Sequence, residues 1–201
     1  MINIAGIAAL IAAYLIGSVN FGVVLSRLVS NDDVRKYGSK SAGATNMLRT
    51  YGIVQAVLTL VLDALKAVGA VLIAKAFGEW YAAAAGVLVM VGHCWPVYYG
   101  FKGGKGVATA LGVGLTLCPA GAVIGAAIAL TVAGITKYMS LGSLIGVVAG
   151  AVLMAVLEGA PVAVTSAAMV VIIVYRHWPN IKRLMAGTEN KLDFSHKNGA
   201  E

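Results

Sequence analysis

Charge is scarce in this chain. Of its 201 residues only 11% are Asp, Glu, Lys or Arg, and only 8 are acidic. Soluble domains carry about 25% charged residues, so the shortage excludes an ordinary water-soluble globule. Cysteine is nearly missing, at 2 residues, which excludes a disulfide-built scaffold. Cys94 and Cys118 have no metal-like spacing, and in the topology below they fall near opposite faces, too far apart to bridge. The 3 histidines and 8 acids form no ligand pattern, so no metal or other cofactor is expected. The N-terminus lacks a basic stretch, and its apolar run continues to about Leu28. It reads as a retained first span rather than a cleaved leader. No internal repeat is visible, which leaves the inverted-repeat plan of many transporters unsupported.

What is abundant is apolar sequence: 60% of residues are hydrophobic and mean hydropathy is +0.88. The apolar runs are continuous rather than alternating, which argues for helices and against a membrane β-barrel. Spans are predicted at about 3–26, 53–76, 80–98, 105–118, 119–136, 139–157 and 160–176. A crossing needs roughly 20 residues, so the fourth is short, and Pro119 breaks it from the fifth. With seven crossings, Arg35, Lys36, Lys40, Arg49, Lys102, Lys105, Lys137, Arg176, Lys182 and Arg183 all fall on one side. Lys75, Glu79 and Glu158 fall on the other. The positive-inside rule then puts the N-terminus outside and the C-terminus in the cytoplasm. The expected fold is an all-α polytopic membrane protein of seven transmembrane helices. It forms one domain over residues 1–201, with 187–201 as a flexible cytoplasmic tail. The net charge of +7 belongs to this inner face, and no nucleic-acid partner is expected.

Three polar clusters converge on that face. Gly92–Gly112, GHCWPVYYGFKGGKGVATALG, sets Lys102 and Lys105 around the Gly103-Gly104 doublet. Glycine lets backbone N–H groups approach a ligand, and lysine supplies a point charge. A nucleotide-binding P-loop is excluded, because Tyr99 and Gly106 stand where it needs glycine and a hydroxyl residue. Gly38–Asn46, GSKSAGATN, followed by Arg49, alternates glycine with hydroxyl and amide groups and opens a helix whose N-terminus favours anions. Tyr175–Gly187, YRHWPNIKRLMAG, ends a span and begins an amphipathic surface helix. Solvated loops, an aromatic belt and a basic anchor are the plain alternatives for the three. Deeper, Asp63 and Lys66 are three apart on one helix face. Charge within a span points first to function, but opposite signs at this spacing favour a mutually neutralising structural pair, with a functional one as the alternative. Asn20 reads as an interhelical hydrogen-bonding group. His93 closes the third span.

In this order and on one face, the clusters resemble the bacterial glycerol-3-phosphate acyltransferase family that uses acyl phosphate. The resemblance runs through YLIGSVNFG (Tyr14–Gly22), GSKSAGATN, LDALK, GHCWPVYYGFKGGKGVATALG and YRHWPNIKRLMAGTENK. It departs at Lys40-Ser41, where the family usually shows Gly-Asn. It implies transfer of a fatty acyl group from acyl phosphate to the 1-position of glycerol 3-phosphate, giving lysophosphatidic acid and phosphate in phospholipid synthesis. It also implies a bacterial inner-membrane enzyme with its site at the cytoplasmic face, and a separate phosphate acyltransferase as donor supplier. Membrane lipids surround it and hold the acyl tail. The His-x4-Asp signature of thioester-using acyltransferases is absent, since Tyr98 follows His93 by five and Lys182 follows His177 by five.

On that chemistry, Ser39, Thr45, Asn46 and Arg49 are expected to grip phosphate together with the Gly38 and Gly43 backbone. Lys105 is expected to stabilise charge at the reacting centre, with His177 and Asn180 orienting glycerol 3-phosphate. Ser41, Lys102, Gly103, Gly104, Ser140, Ser143 and Arg176 are further binding candidates. Proton removal is open between the donor phosphate and His177. The alternative class is a transporter or scramblase for a phosphorylated solute or lipid, which would carry binding groups near the midplane.

Overall fold

The structure, a computed structural model, describes residues 3–192. Those residues form ten α-helices, two short 3-10 turns and no strands. In chain order the helices are α1 (Ile4–Ser18), α2 (Phe21–Ser30), α3 (Ala44–Tyr51), α4 (Ile53–Lys75) and α5 (Glu79–Cys94). They continue as α6 (Val107–Leu117), α7 (Pro119–Thr136), α8 (Met139–Leu157), α9 (Ala160–Arg176) and α10 (Trp178–Met185). Proline stands in the first turn of α7, α9 and α10, where its missing N–H leaves no helix bond unmade.

Five segments are long and apolar enough to cross a bilayer: Ile4–Ser30, Ile53–Lys75, Glu79–Tyr99, Pro119–Thr136 and Met139–Leu157. The pair α9 and α10, bent by 59°, makes a sixth if taken as one span. The expected fourth crossing is only the 11-residue α6, about 17 Å at 1.5 Å per residue.

The first segment differs from the single helix expected. It breaks at Val19–Asn20, between α1 and α2, and runs on to Ser30. The break is stabilised by partners from other helices. Lys66 Nζ donates to the freed Val19 carbonyl at 2.5 Å, and Asn20 Nδ2 donates to His93 O at 3.3 Å.

Helix packing relies on small residues, as expected where lipid supplies no hydrophobic drive between helices. At the α7–α8 contact a Cβ on Gly125 would stand 2.7 Å from Gly146 O, and one on Gly146 2.4 Å from Gly125 O. Large apolar side chains such as Leu65, Val123, Leu130 and Val156 are instead exposed on the flanks, where hydrocarbon would meet them.

Several polar connections lie together. The start of α6, the α7–α8 junction and the chain after α10 meet through Lys105–Asn180, Ser140–Glu189 and Leu192 N–Lys137 O contacts. Thus α6 and α7 form a hairpin whose two ends return to one face. The chain does not leave the body at Gly187, where a flexible tail was expected to begin. Glu189 is buried and Leu192 N donates to Lys137 O at 2.7 Å. The rest of that expected tail lies outside the described residues.

Candidate functional site

The first loop is organised around Asn46, which is 1% exposed. Its Nδ2 lies 3.0, 3.1 and 2.9 Å from Val34 O, Tyr37 O and Ser41 O, three acceptors sharing its two N–H donors, and Oδ1 accepts from Ser39 N at 2.8 Å. The amide is therefore committed to its own loop rather than presented to a ligand, which revises its expected phosphate-binding role. Gly38 is obligatory beside it: its φ is +53°, and a Cβ would meet Asn46 Oδ1 at 2.4 Å. Ser39, Lys40 and Ser41 line a cavity. Lys40 holds φ +55°, a left-handed conformation unusual outside glycine. Gly43 caps α3, and Thr45 sits half-buried in its first turn.

Arg35 clasps the first loop to the second. Asp33 accepts from its Nε and Nη2 at 2.9 and 2.7 Å, and Nη1 donates to Tyr99 O at 3.0 Å and Lys102 O at 2.7 Å. The Lys102 side chain itself is exposed and is not part of that cavity's wall. Farther along, Arg176 Nε donates to Gly104 O at 3.0 Å and Nη2 to Gly103 O at 3.2 Å. Its guanidinium also lies over the Trp95 ring, 5.3 Å from the centroid. This arginine orders the glycine doublet while remaining in the cavity wall.

Lys105 follows the doublet and donates from Nζ to Asn180 Oδ1 at 2.6 Å. Asn180 Nδ2 donates to Glu189 Oε1 at 2.6 Å. That carboxylate also accepts from Ser140 Oγ at 2.9 Å and, through Oε2, from Arg183 Nε at 2.7 Å. Burial pushes the Lys105 ammonium down to about 8; Glu189 opposes this, and Arg183, Arg49 and Arg176 add to it. For Glu189, burial raises the carboxyl, but the bonds from Asn180, Arg183 and Ser140 outweigh it and hold it below its ordinary 4.5.

His177 sits at the α9–α10 bend and is buried. A carbonyl can only accept, so its Nδ1 donates to Ile173 O, 2.9 Å away, and Nε2 is the ring nitrogen left for other work. It is not part of the cavity wall. Nor is Arg49, whose Nη2 donates to Asn190 O at 3.3 Å, although its charge is felt at Lys105. Ser143 is buried on α8, and Asp63, Lys66 and His93 lie beneath the glycine loop.

The cavity measures about 390 Å³. The first loop contributes Ser39, Lys40 and Ser41, and the glycine loop Gly103 and Lys105. The bend after α9 contributes Tyr175, Arg176, Trp178, Pro179, Asn180 and Arg183. Four basic residues and two serines thus line one space, with no Asp or Glu in the wall among the described residues. Such a wall suits phosphate oxygens. Sequence reasoning had not given roles to Arg35, Lys40 or Glu189. Glu189 is the one acid in the short GTEN run after a basic helix, a signal that was available. Arg35 carried none, because its partners are backbone carbonyls 64 and 67 positions away.

Comparison with known proteins agrees with the geometry. A family model described as "Glycerol-3-phosphate acyltransferase" matches residues 7–187. A "Glycerol-3-phosphate acyltransferase" of Halalkalibacterium halodurans is 47% identical over 191 residues, covering 90% of this chain and 93% of that one. Its Brucella canis namesake is 46% identical over 186 residues, covering 92% of each. Among solved structures, PlsY (YgiH), an integral membrane glycerol 3-phosphate acyltransferase, matches in its glycerol 3-phosphate form. The TM-score is 0.89 and the identity 37%, over 94% of this chain and 96% of that one. Its lysophosphatidic acid form matches at TM-score 0.87 and 36% identity, with the same coverage.

Proposed function

The chain belongs to the glycerol-3-phosphate acyltransferase family, and from that premise we propose how this integral membrane enzyme works. It transfers a fatty acyl group from acyl phosphate to the 1-position of glycerol 3-phosphate and releases lysophosphatidic acid and inorganic phosphate. The observation that carries this reading is the single cavity lined by Lys40, Lys105, Arg176 and Arg183 together with Ser39 and Ser41.

Two phosphorylated substrates bring roughly three to four negative charges together near neutral pH. Two unit charges 4 Å apart repel by about 4 kcal/mol at an effective dielectric of 20. The wall cations offset that repulsion, and Arg49 adds to the field from behind it. Ser39, Ser41 and the Gly103 backbone position phosphate oxygens. Thr45, Lys102 and Ser143 act at longer range, while Gly38, Gly43, Gly104, Asn46 and Ser140 shape the loops.

The glycerol hydroxyl oxygen attacks the acyl carbon, and the carbon–oxygen bond to phosphate breaks with its electron pair leaving on phosphate. Lys105 stabilises the charge that develops, in the place a preorganised donor is most effective. The hydroxyl proton passes to the departing phosphate, so the reaction is substrate-assisted. The alternative acceptor is His177 Nε2. Asn180 holds the Lys105 ammonium and orients the acceptor substrate. An acyl phosphate is already activated, so positioning and charge stabilisation are the main tasks left to the protein.

The same reading makes residues 1–201 one domain with seven membrane-inserted segments. The N-terminus is outside and the site at the cytoplasmic face of a bacterial inner membrane. The return of the α6–α7 hairpin to the site face supports an odd number of passes. So does the collection of Arg35, Lys36, Lys40, Arg49, Lys102, Lys105 and Lys137 on that side. The donor comes from a separate phosphate acyltransferase. A transporter would place its binding groups near the midplane, whereas these lie at one face.

The test is phosphate release from palmitoyl phosphate by purified protein, with and without glycerol 3-phosphate, beside palmitoyl-CoA as donor. Acceptor-dependent release, with lysophosphatidic acid formed from acyl phosphate alone, is the expected result. A folded protein that transfers no acyl group overturns the assignment.

A further inference from the structure

Beneath the glycine–lysine loop lies a group of buried charges that the acyl-transfer scheme leaves unused. Asp63, Lys66 and His93 are 1%, 8% and 2% exposed. Lys66 Nζ stands 2.7 Å from Asp63 Oδ1, 2.5 Å from Val19 O and 3.1 Å from His93 Nδ1. An ammonium carries three donors and accepts nothing, so these three acceptors use it fully. His93 Nδ1 also lies 3.5 Å from Asp63 Oδ1. Its shorter 3.1 Å contact, however, is with a group that can only donate, so Nδ1 is the acceptor and the neutral ring carries its proton on Nε2.

That Nε2 edge lies against the glycine doublet. A Cβ on Gly104 would stand 2.1 Å from His93 Nε2, and one on Gly103 2.1 Å from His93 O. Only bare backbone fits over the histidine. Gly104 N also donates to His93 O at 3.1 Å, a carbonyl that Asn20 Nδ2 reaches as well, at 3.3 Å. The doublet is therefore clamped between His93 and the Arg176 guanidinium bonded to its carbonyls. The next residue is Lys105.

A plain ion pair does not account for this arrangement. Charge within a membrane span is costly, and buried pairs can often be replaced by apolar residues without loss of stability. What the pair provides here is a fixed donor to one ring nitrogen of His93, so that the other edge always meets the loop in the same state.

We propose that Asp63, Lys66 and His93 form a buried positioning triad for the Gly103–Gly104 segment. The ion pair sets the tautomer and rotation of the His93 ring, and the ring sets where the Lys105 ammonium stands. None of the three touches substrate. The proposal rests on the reading of Lys105 as the charge-stabilising group and adds residues that place it. A misplacement of about 1 Å can cost on the order of a hundredfold in rate, so a small loop shift is enough to matter.

The test uses the full-length protein in detergent micelles and two kinds of readout. In 15N-histidine-labelled protein, His93 is expected as the Nε2–H tautomer, and the other tautomer overturns the proposal. In kinetics, Asp63→Leu/Lys66→Met is expected to fold with a Tm near wild type and to lose about tenfold to a hundredfold in kcat. Its KM for glycerol 3-phosphate should change much less. A kcat within the wild-type range shows a merely structural pair and overturns the triad. If that double variant does not fold, His93→Gln and His93→Leu decide. Glutamine can accept from Lys66 and donate an N–H, so it should retain most of kcat where leucine loses it, and equal kcat in both overturns the triad. Wild-type protein without acyl transfer would sink the acyltransferase reading, while the tautomer spectrum, which needs no turnover, still judges the triad.

Discussion

Lys105 and Asn180, 75 positions apart, share a 2.6 Å hydrogen bond from Nζ to Oδ1. The bond joins the glycine loop to α10, and its acceptor side chain is itself held by Glu189 at 2.6 Å. The ammonium is thus aimed by an amide that a carboxylate aims. Lys105→Ala should lower kcat by about a hundredfold to a thousandfold, the usual loss when a charge-stabilising donor is removed. Its elution and Tm in detergent should stay near wild type. Near-normal turnover of the variant would remove Lys105 from the reacting centre.

The same lysine sets an alkaline limit. Its ammonium is pushed down to about 8, chiefly by burial, so it is charged below that pH and neutral above it. kcat/KM, which follows the free enzyme, is expected to fall as pH rises through about 8. Bound phosphates favour the charged form, so the matching limb in kcat should lie higher. Lys105→Arg keeps its charge throughout and should lose this limb while keeping reduced activity. A wild-type kcat/KM that stays flat well above pH 8 would contradict the assignment.

Glu189 is the second control point. Glu189→Ala strips the acceptor from Asn180, Ser140 and Arg183 and is expected to destabilise the protein by about 2–4 kcal/mol, as losing bonds to a charged group does. The carboxyl sits below its ordinary 4.5, so its contribution is fully present above that pH and is lost as pH falls through the folded-state value. Tm measured against pH should therefore drop more steeply below about 4.5 in wild type than in Glu189→Gln. Parallel curves would show that Glu189 carries no such linkage.

Much of this architecture could be read from the chain because apolar runs end where proline, glycine or charge begins. The ranges 119–136, 139–157 and 160–176 coincide with α7, α8 and α9, bounded by Pro119, Lys137 and Gly159. The break at Val19–Asn20 could not be read this way. No proline marks it, and the Lys66 that satisfies Val19 O comes from another helix. The site was legible in its residue types, since Ser39, Ser41, Gly103, Lys105, Arg176 and Asn180 do share one cavity. Direction was not legible. Asn46 and Ser39 look equally able to hold phosphate, yet one amide turns inward to three carbonyls while Ser39 lines the cavity.

That inward turn gives a further expectation. Asn46→Ala should cost about 2–3 kcal/mol, because several buried backbone groups lose their partner. Asn46→Asp should be worse, since a carboxylate cannot donate to Val34 O, Tyr37 O and Ser41 O. The comparison is read by thermal unfolding in detergent. An aspartate variant as stable as wild type would show that the side chain is not the scaffold of the loop.

The carboxylate that steadies Asn180 comes late in the chain, and this has a bearing on synthesis. Translation adds residues in sequence order, so all ten helices of the described residues are made before Glu189 emerges. A nascent chain that ends before residue 189 therefore still lacks the carboxylate that holds Asn180. The bonds that Asn180, Ser140 and Arg183 make to Glu189 can form only after that point.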